Sequence, residues 1–331
     1  MRAVKFVDRQ VVVEDMPSPR GEGVLVNVRA CGICGSDTTM LDMGYSIFGI
    51  PGHEISGQLE DGTPVAIEPL EPCGACKYCA TGDTQVCMKG KSTIFGVGRD
   101  GGMAEQILVP ASSLVALPRS LDATTAFLVE PLAVAVHGVR RAAIDGSIRV
   151  LVIGAGTIGL CAVAAARAAG AEVDLVGRHP AQLAAARQLG AQVIESADGS
   201  GSGGNSSGNS GGNSGGNYDV VLDCAGTESA IEAACNALRP KGQLVLLSSS
   251  WDKLILPGLI IGAKELDIRV SAMYGRSGSV RDIDAAAAIL GANDAVADAL
   301  ISDRFPLDRA PEAFERSRDR KGGAIKVVLE P

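Results

Sequence analysis

Positive charge is in deficit: 30 Lys and Arg stand against 38 Asp and Glu, a net charge of −8. Proteins that grip phosphate backbones are normally basic, so nucleic acid is not an expected partner. No apolar stretch follows Arg2 in MRAVKFVDRQ, so no secretory signal is read there. The longest apolar run, Val150 to Ala166, is short for a bilayer, and Gly154, Gly156 and Gly159 interrupt it. A soluble cytoplasmic protein that avoids membranes is the expectation. Disorder is excluded as well, because 46% of the residues are hydrophobic and only 21% charged. A length of 331 residues predicts about two domains.

Cysteine, by contrast, is plentiful and odd in number. Nine in a chain with no secretory signal argue against a disulfide scaffold and for metal or redox duties. Four of them form Cys73-x2-Cys76-x2-Cys79-x7-Cys87. Thiolates at this spacing can wrap one tetrahedral Zn²⁺, with Gly74 and Gly82 permitting the turns between them. A closed set of four would be structural. An iron–sulfur cluster is the competing reading of the same residues.

A second donor set is dispersed. Cys34 lies in ACGICGSD, His53-Glu54 in GIPGHEISG, and Glu130 opens EPLAVAVHG. Cys34, His53 and Glu130 together make a three-ligand zinc set with a fourth position open, which is the catalytic type. Asp37 is placed to accept the other ring N–H of His53. His137 and His179 are read as structural.

Along the chain, MRAVKFVD, QVVVED and VLVNVRA read as strands, and residues 31–87 as loop-rich with no helical periodicity. A helix is expected from Ala123. The pattern changes at Ile148. IRVLVIGAG reads as a strand buried on both faces, TIGLCAVAAARAAG as a helix, AEVDLVG as a strand and PAQLAAARQLG as a helix. AQVIES, YDVVLDCAG and GQLVLLSSS come next as strands, with a helix over TESAIEAACNALRPKG between the last two. This alternation predicts a doubly wound parallel sheet. Residues 272–331 read as mixed segments that return to the first domain. The predicted boundaries are therefore 1–122 with 272–331 for one domain and 123–271 for the other. Residues 199–217 contain only Gly, Ser and Asn. They are expected to be flexible, standing where a crossover helix would normally lie.

Gly154, Gly156, Thr157, Ile158 and Gly159 form a G-x-G-x-x-G turn between a buried strand and a helix. Such a turn brings backbone close to a pyrophosphate at a helix N-terminus. One strand later the acid that usually bonds a ribose 2′-OH is missing. AEVDLVGRH ends on Gly177-Arg178-His179, with Asp174 three residues too early. A guanidinium at Arg178 suits a 2′-phosphate, so NADP is predicted over NAD.

Taken together, G-x-C-G-x-D, G-H-E, the four-cysteine lobe and G-x-G-x-x-G occur in an order that resembles the zinc-containing medium-chain dehydrogenase/reductase family, over essentially the whole chain. The resemblance implies an α/β fold with a GroES-like, mostly β catalytic domain and a Rossmann cofactor domain. Glu130 in EPLAVAVH is similar to the polyol, threonine and glucose dehydrogenase branch, where a glutamate serves at or near the zinc. The same resemblance implies a catalytic zinc held by Cys34, His53 and a carboxylate, a structural zinc on the lobe, and hydride exchange between a secondary alcohol, polyol or sugar and NAD(P). Ser36 matches the hydroxyl that carries the proton away, and Glu54 a nearby or alternate ligand that helps exchange the fourth position. Thr39 stands where the family often has a relay histidine, and the stretch from His53 to Cys73 looks shortened. An aromatic content of 3% fits a site without a large apolar barrel for bulky aromatic alcohols. A homodimer or homotetramer, joined through a sheet edge of the cofactor domain, is also implied. The alternatives are a non-catalytic NADPH-binding or regulatory protein on the same scaffold, and a quinone or enone reductase of the superfamily. The reductases generally lack both zinc sites.

Overall fold

The computed structural model describes residues 1–45, 49–197, 218–249 and 253–331. The flexible segment expected at 199–217 lies outside the described residues. The chain divides into two compact units, Met1–Ala133 with Met273–Pro331, and Val134–Ala272.

The first unit is built on a seven-stranded sheet. Strands run in the order Ile301–Pro306, Lys326–Glu330, Val24–Gly32, Glu54–Gln58, Pro64–Ile67 and Leu114–Ala116, and Gln106–Val109 also pairs with Val24–Gly32. Val24–Gly32 shows why a strand forms there. Val26, Val28 and Ala30 are buried while Leu25 and Arg29 face out, the period of a half-buried sheet. Its last three residues, Ala30, Cys31 and Gly32, are all buried, so the strand runs into the interior just before Cys34. Val26, Ile55, Ile67, Val327 and Leu329 share the core behind the sheet.

Residues 31–87 are less loop-like than their composition predicts. A helix, Gly35–Met43, starts at Cys34, whose backbone N–H donates to Asp37 Oδ2 at 2.9 Å. It stops at Gly44, where φ is +66. Nine residues of weak amphipathicity are too short for periodicity to reveal, so the local cap carries the signal. The boundary expected after Asp122 also moves. A 3-10 turn at Ala126–Leu128 and the start of the helix Val129–Arg141 belong to the first unit, with Phe127 fully buried against the sheet.

The second unit carries a six-stranded, all-parallel sheet. Its order is Gln192–Val193, Glu172–Val176, Arg149–Ile153, Tyr218–Asp223, Leu238–Leu246 and Asp267–Val270. That is the doubly wound order with the switch between Arg149–Ile153 and Tyr218–Asp223, whose carboxyl ends are where such sheets bind ligands. The helix read over TESAIEAACNALRPKG is shorter than its composition predicts. It spans Glu228–Ala237, and a strand begins at Leu238, because Pro240 disfavours helical backbone at Arg239. The helix Gly258–Lys264 and the edge strand Asp267–Val270 are further elements that no periodicity signalled. No helix among the described residues is long and apolar enough to cross a membrane.

Candidate metal centres and dinucleotide loop

The four lobe cysteines come from a short helix, Lys77–Thr81, and the turns around it. Their sulfurs lie within 4.8 Å of one another. Cys73 Sγ is 3.9 Å from Cys79 Sγ, and Cys76 Sγ is 3.5 Å from the same atom. Four sulfurs placed ~2.3 Å from one ion stand about 3.8 Å apart, so the spacing suits a tetrahedral zinc. Backbone N–H groups of Met88 and Cys79 hold the Cys76 thiol down at about 6, while burial and then the Cys76 side chain push Cys79 up to about 12. Cys76 is thus poised to give up its proton, and a cation's charge would be needed to draw off that of Cys79.

The second cluster is assembled by the sheet. Cys34 follows the buried end of Val24–Gly32, and His53 immediately precedes the strand Glu54–Gln58. The two strands are antiparallel, with Gly32 opposite Glu54. One donor atom each from Cys34, His53 and Glu54 lies within 4.8 Å of the others. Of the two carboxylates that the sequence offered, the one gathered with Cys34 and His53 is Glu54, and Glu130 is not in that group. Glu130 stands in the first turn of Val129–Arg141, buried and close enough to feel the cluster. Burial raises its carboxyl to about 7, with His53 pulling it down and Glu54 pushing it up.

Asp37 is fully buried and orients the imidazole, its Oδ1 lying 3.5 Å from His53 Nδ1. His53 Nε2 faces Ser36 Oγ at 3.5 Å. Burial alone would lower the His53 pKa, but the charges of Asp37 and Cys34 raise it well above the ordinary value. A field that holds a proton on a buried imidazole will also attract a metal cation. Asp37 Oδ1, His53 Nδ1 and Glu54 Oε2 are buried without a hydrogen-bond partner in the structure. Asp37 Oδ1 and His53 Nδ1 face each other, so Glu54 Oε2, unpartnered beside a thiol, is the atom that fits a bound ion. The Thr39 hydroxyl is turned to its own helix, its Oγ1 donating to Gly35 O at 2.9 Å.

Lys326 is the residue that sequence reasoning missed. It is 2% exposed, and its Nζ donates to Glu54 Oε1 at 2.6 Å and to Ile33 O at 3.0 Å. A lone lysine in the apolar strand AIKVVLE was the available signal, because a buried ammonium requires a partner.

In the second unit, Arg149–Ile153 leads through Gly154, at φ +105, to Gly156, which precedes the helix Thr157–Ala168. A Cβ at Gly159 would lie 1.8 Å from Gly154 O, so the turn closes only without a side chain there. Thr157 and Ile158 occupy the first helical turn, with the positive end of the helix beside them. Arg178 is next to Gly177, where a Cβ would lie 2.7 Å from Ala155 Cβ, so the backbone that carries the guanidinium is packed against the loop. Asp174 is engaged elsewhere, accepting from the Tyr218 hydroxyl at 2.5 Å.

Two family models match the chain: the alcohol dehydrogenase GroES-like domain over residues 20–119 and the zinc-binding dehydrogenase domain over residues 157–290. D-xylulose reductase A of Aspergillus niger is 32% identical over 344 aligned positions, covering 98% of this chain and 93% of that protein. The L-galactonate-5-dehydrogenase of Escherichia coli K12 is 29% identical, covering 95% and 94%. A zinc-binding dehydrogenase from Sinorhizobium meliloti 1021, solved bound to NADP, superposes with a TM-score of 0.84 at 29% identity, covering 100% of this chain and 99% of that one. The chain belongs to the zinc-dependent medium-chain dehydrogenase/reductase family. Its GroES-like and Rossmann folds are those of that family, and it is an oxidoreductase. Within the family it falls in the polyol-dehydrogenase branch.

Proposed function

We propose that this enzyme exchanges a hydride between a secondary hydroxyl of a polyol or sugar-derived substrate and NADP. One observation carries the reading: Cys34, His53 and Glu54, from separate parts of the first unit, bring a sulfur, a nitrogen and an oxygen donor within 4.8 Å. Three protein ligands of mixed softness are the catalytic type of zinc site, and the four-cysteine lobe is the structural type. The first unit is accordingly the catalytic domain and the second the cofactor domain. When bound, the zinc supplies a Lewis acid for the substrate oxygen and the nicotinamide a hydride acceptor.

The chain's own residues do the rest. Asp37 fixes the His53 ring so that Nε2 is presented toward Cys34 and Ser36. Ser36 Oγ accepts the substrate hydroxyl proton as it gives up its own. Thr39 is tied to Gly35 O, so that proton leaves through water rather than along the helix. Glu130, buried and held near 7, takes hydrogen bonds from substrate hydroxyls rather than joining the metal. The Gly154–Gly159 turn carries the pyrophosphate and Arg178 the 2′-phosphate. Nine free thiols fit a reducing compartment, the cytoplasm. Val270, 61% exposed on the edge strand, and Leu259, 86% exposed on the neighbouring helix, support a homo-oligomer joined through that edge.

The test is a panel of polyols and sugar acids with NADP and NAD on metal-analysed protein. Two zinc ions per chain, polyol oxidation that stops when chelator removes one of them, and NADP preference reduced about tenfold by Arg178→Ala are expected. A protein that binds NADPH, holds one zinc and turns over nothing would refute the reading.

A further inference from the structure

The two oxygens of Glu54 live differently. Oε1 is held by the ammonium of Lys326 at 2.6 Å, on a lysine 2% exposed that also donates to Ile33 O. Oε2 is buried with no hydrogen-bond partner and lies where a Cβ on Gly32 would come within 2.0 Å of it. The carboxylate is therefore pinned at one end and closely confined at the other. Oε2 is the oxygen left without a hydrogen-bond partner, and so the one most open to an ion shared with Cys34 and His53.

Charge makes the same point. A divalent cation is balanced by one thiolate and one carboxylate. Lys326 claims part of that carboxylate, so Glu54 keeps a weaker hold on the ion. We propose that Lys326 is a positioning residue that shares Glu54 with the metal, withholding one carboxylate oxygen so that a coordination position stays exchangeable. This rests on the reading that Cys34, His53 and Glu54 hold the ion.

Cobalt-substituted full-length protein tests it without reference to turnover. Lys326→Met is expected to free Glu54 toward the metal. The visible d–d absorption should weaken toward that of a higher coordination number, and release of the ion to chelator should slow about tenfold. Lys326→Arg should restore the parent spectrum and rate. In a Glu54→Gln background, adding Lys326→Met should change neither quantity. If Lys326→Met fails to fold, Lys326→Gln, which retains a donor for Ile33 O without the charge, carries the same measurement. An unmoved spectrum and release rate would overturn the proposal, as would faster release with an unmoved spectrum, which marks a packing role only. A parent protein that binds metal at the cysteine lobe alone would instead overturn the centre, and this role with it.

Discussion

The cysteine lobe and the Cys34–His53–Glu54 cluster are two ways of making a metal site. The lobe gathers four donors from Cys73 to Cys87, a run of 15 residues, with Cys73, Cys76 and Cys79 all partly open to solvent. The cluster gathers three donors from the ends of two paired strands and surrounds them with buried carboxylates and a buried ammonium. On the proposed reading, a metal in the lobe supplies cohesion that the chain lacks. In the cluster the sheet supplies cohesion first, and the site inherits its geometry. On the proposed reading, one metal maintains structure and the other performs chemistry.

Paired substitutions would break that comparison most directly. Cys34→Ser should lower kcat/KM by at least about 10³-fold while leaving the melting temperature within about 2 °C of the parent. Cys76→Ser should do the reverse, lowering Tm by roughly 5–10 °C, with the folded fraction still active. Calorimetry and steady-state kinetics on both variants decide it, and equal loss of Tm in the two would erase the distinction.

Gly159→Ala probes the second unit. Its new Cβ would meet Gly154 O at 1.8 Å, a backbone atom that can yield only by opening the turn. NADPH affinity should fall about tenfold or more by titration, while both metal sites remain filled. Retained affinity would show that the turn does not hold the cofactor.

The smallest effect concerns Glu130. Its folded value of about 7 lies above the ordinary 4.5, so folding favours the protonated form. In metal-free protein this contribution is present below about 4.5 and is lost as pH rises through about 7, a change of order 1–3 kcal/mol. Glu130→Gln, which stays neutral, should therefore gain stability relative to the parent between pH 5 and pH 8 in denaturant titrations. A constant difference across that range would remove Glu130 from the charged group around His53.

Much of this was legible in the residues themselves. The lobe needed only spacing, and the glycine turn needed only a buried strand before it and a helix after it. The pairing of Cys34 with His53 was legible as chemistry, through soft and borderline donors in glycine-rich turns. Choosing between Glu54 and Glu130 was not. That choice depends on which carboxylate the antiparallel register of Gly32 and Glu54 carries inward, and register is a property of two strands at once. Lys326 was hidden for the same reason, since its partner is 272 residues away. The helix Gly35–Met43 was missed because a short helix set by its cap leaves no periodic trace.

The pairing of Gly32 with Glu54 makes the antiparallel ladder a ruler. A slip of one residue would turn the carboxylate to the opposite face and bring a side chain into the space it now fills. The register already shifts between Val28 and Ala30, two rungs from the Gly32–Glu54 pair, so that irregularity fixes which rung delivers the donor. On the proposed reading, ion stoichiometry at Cys34 and His53 is a sensor of strand alignment, reporting a mispaired sheet even where circular dichroism looks unchanged.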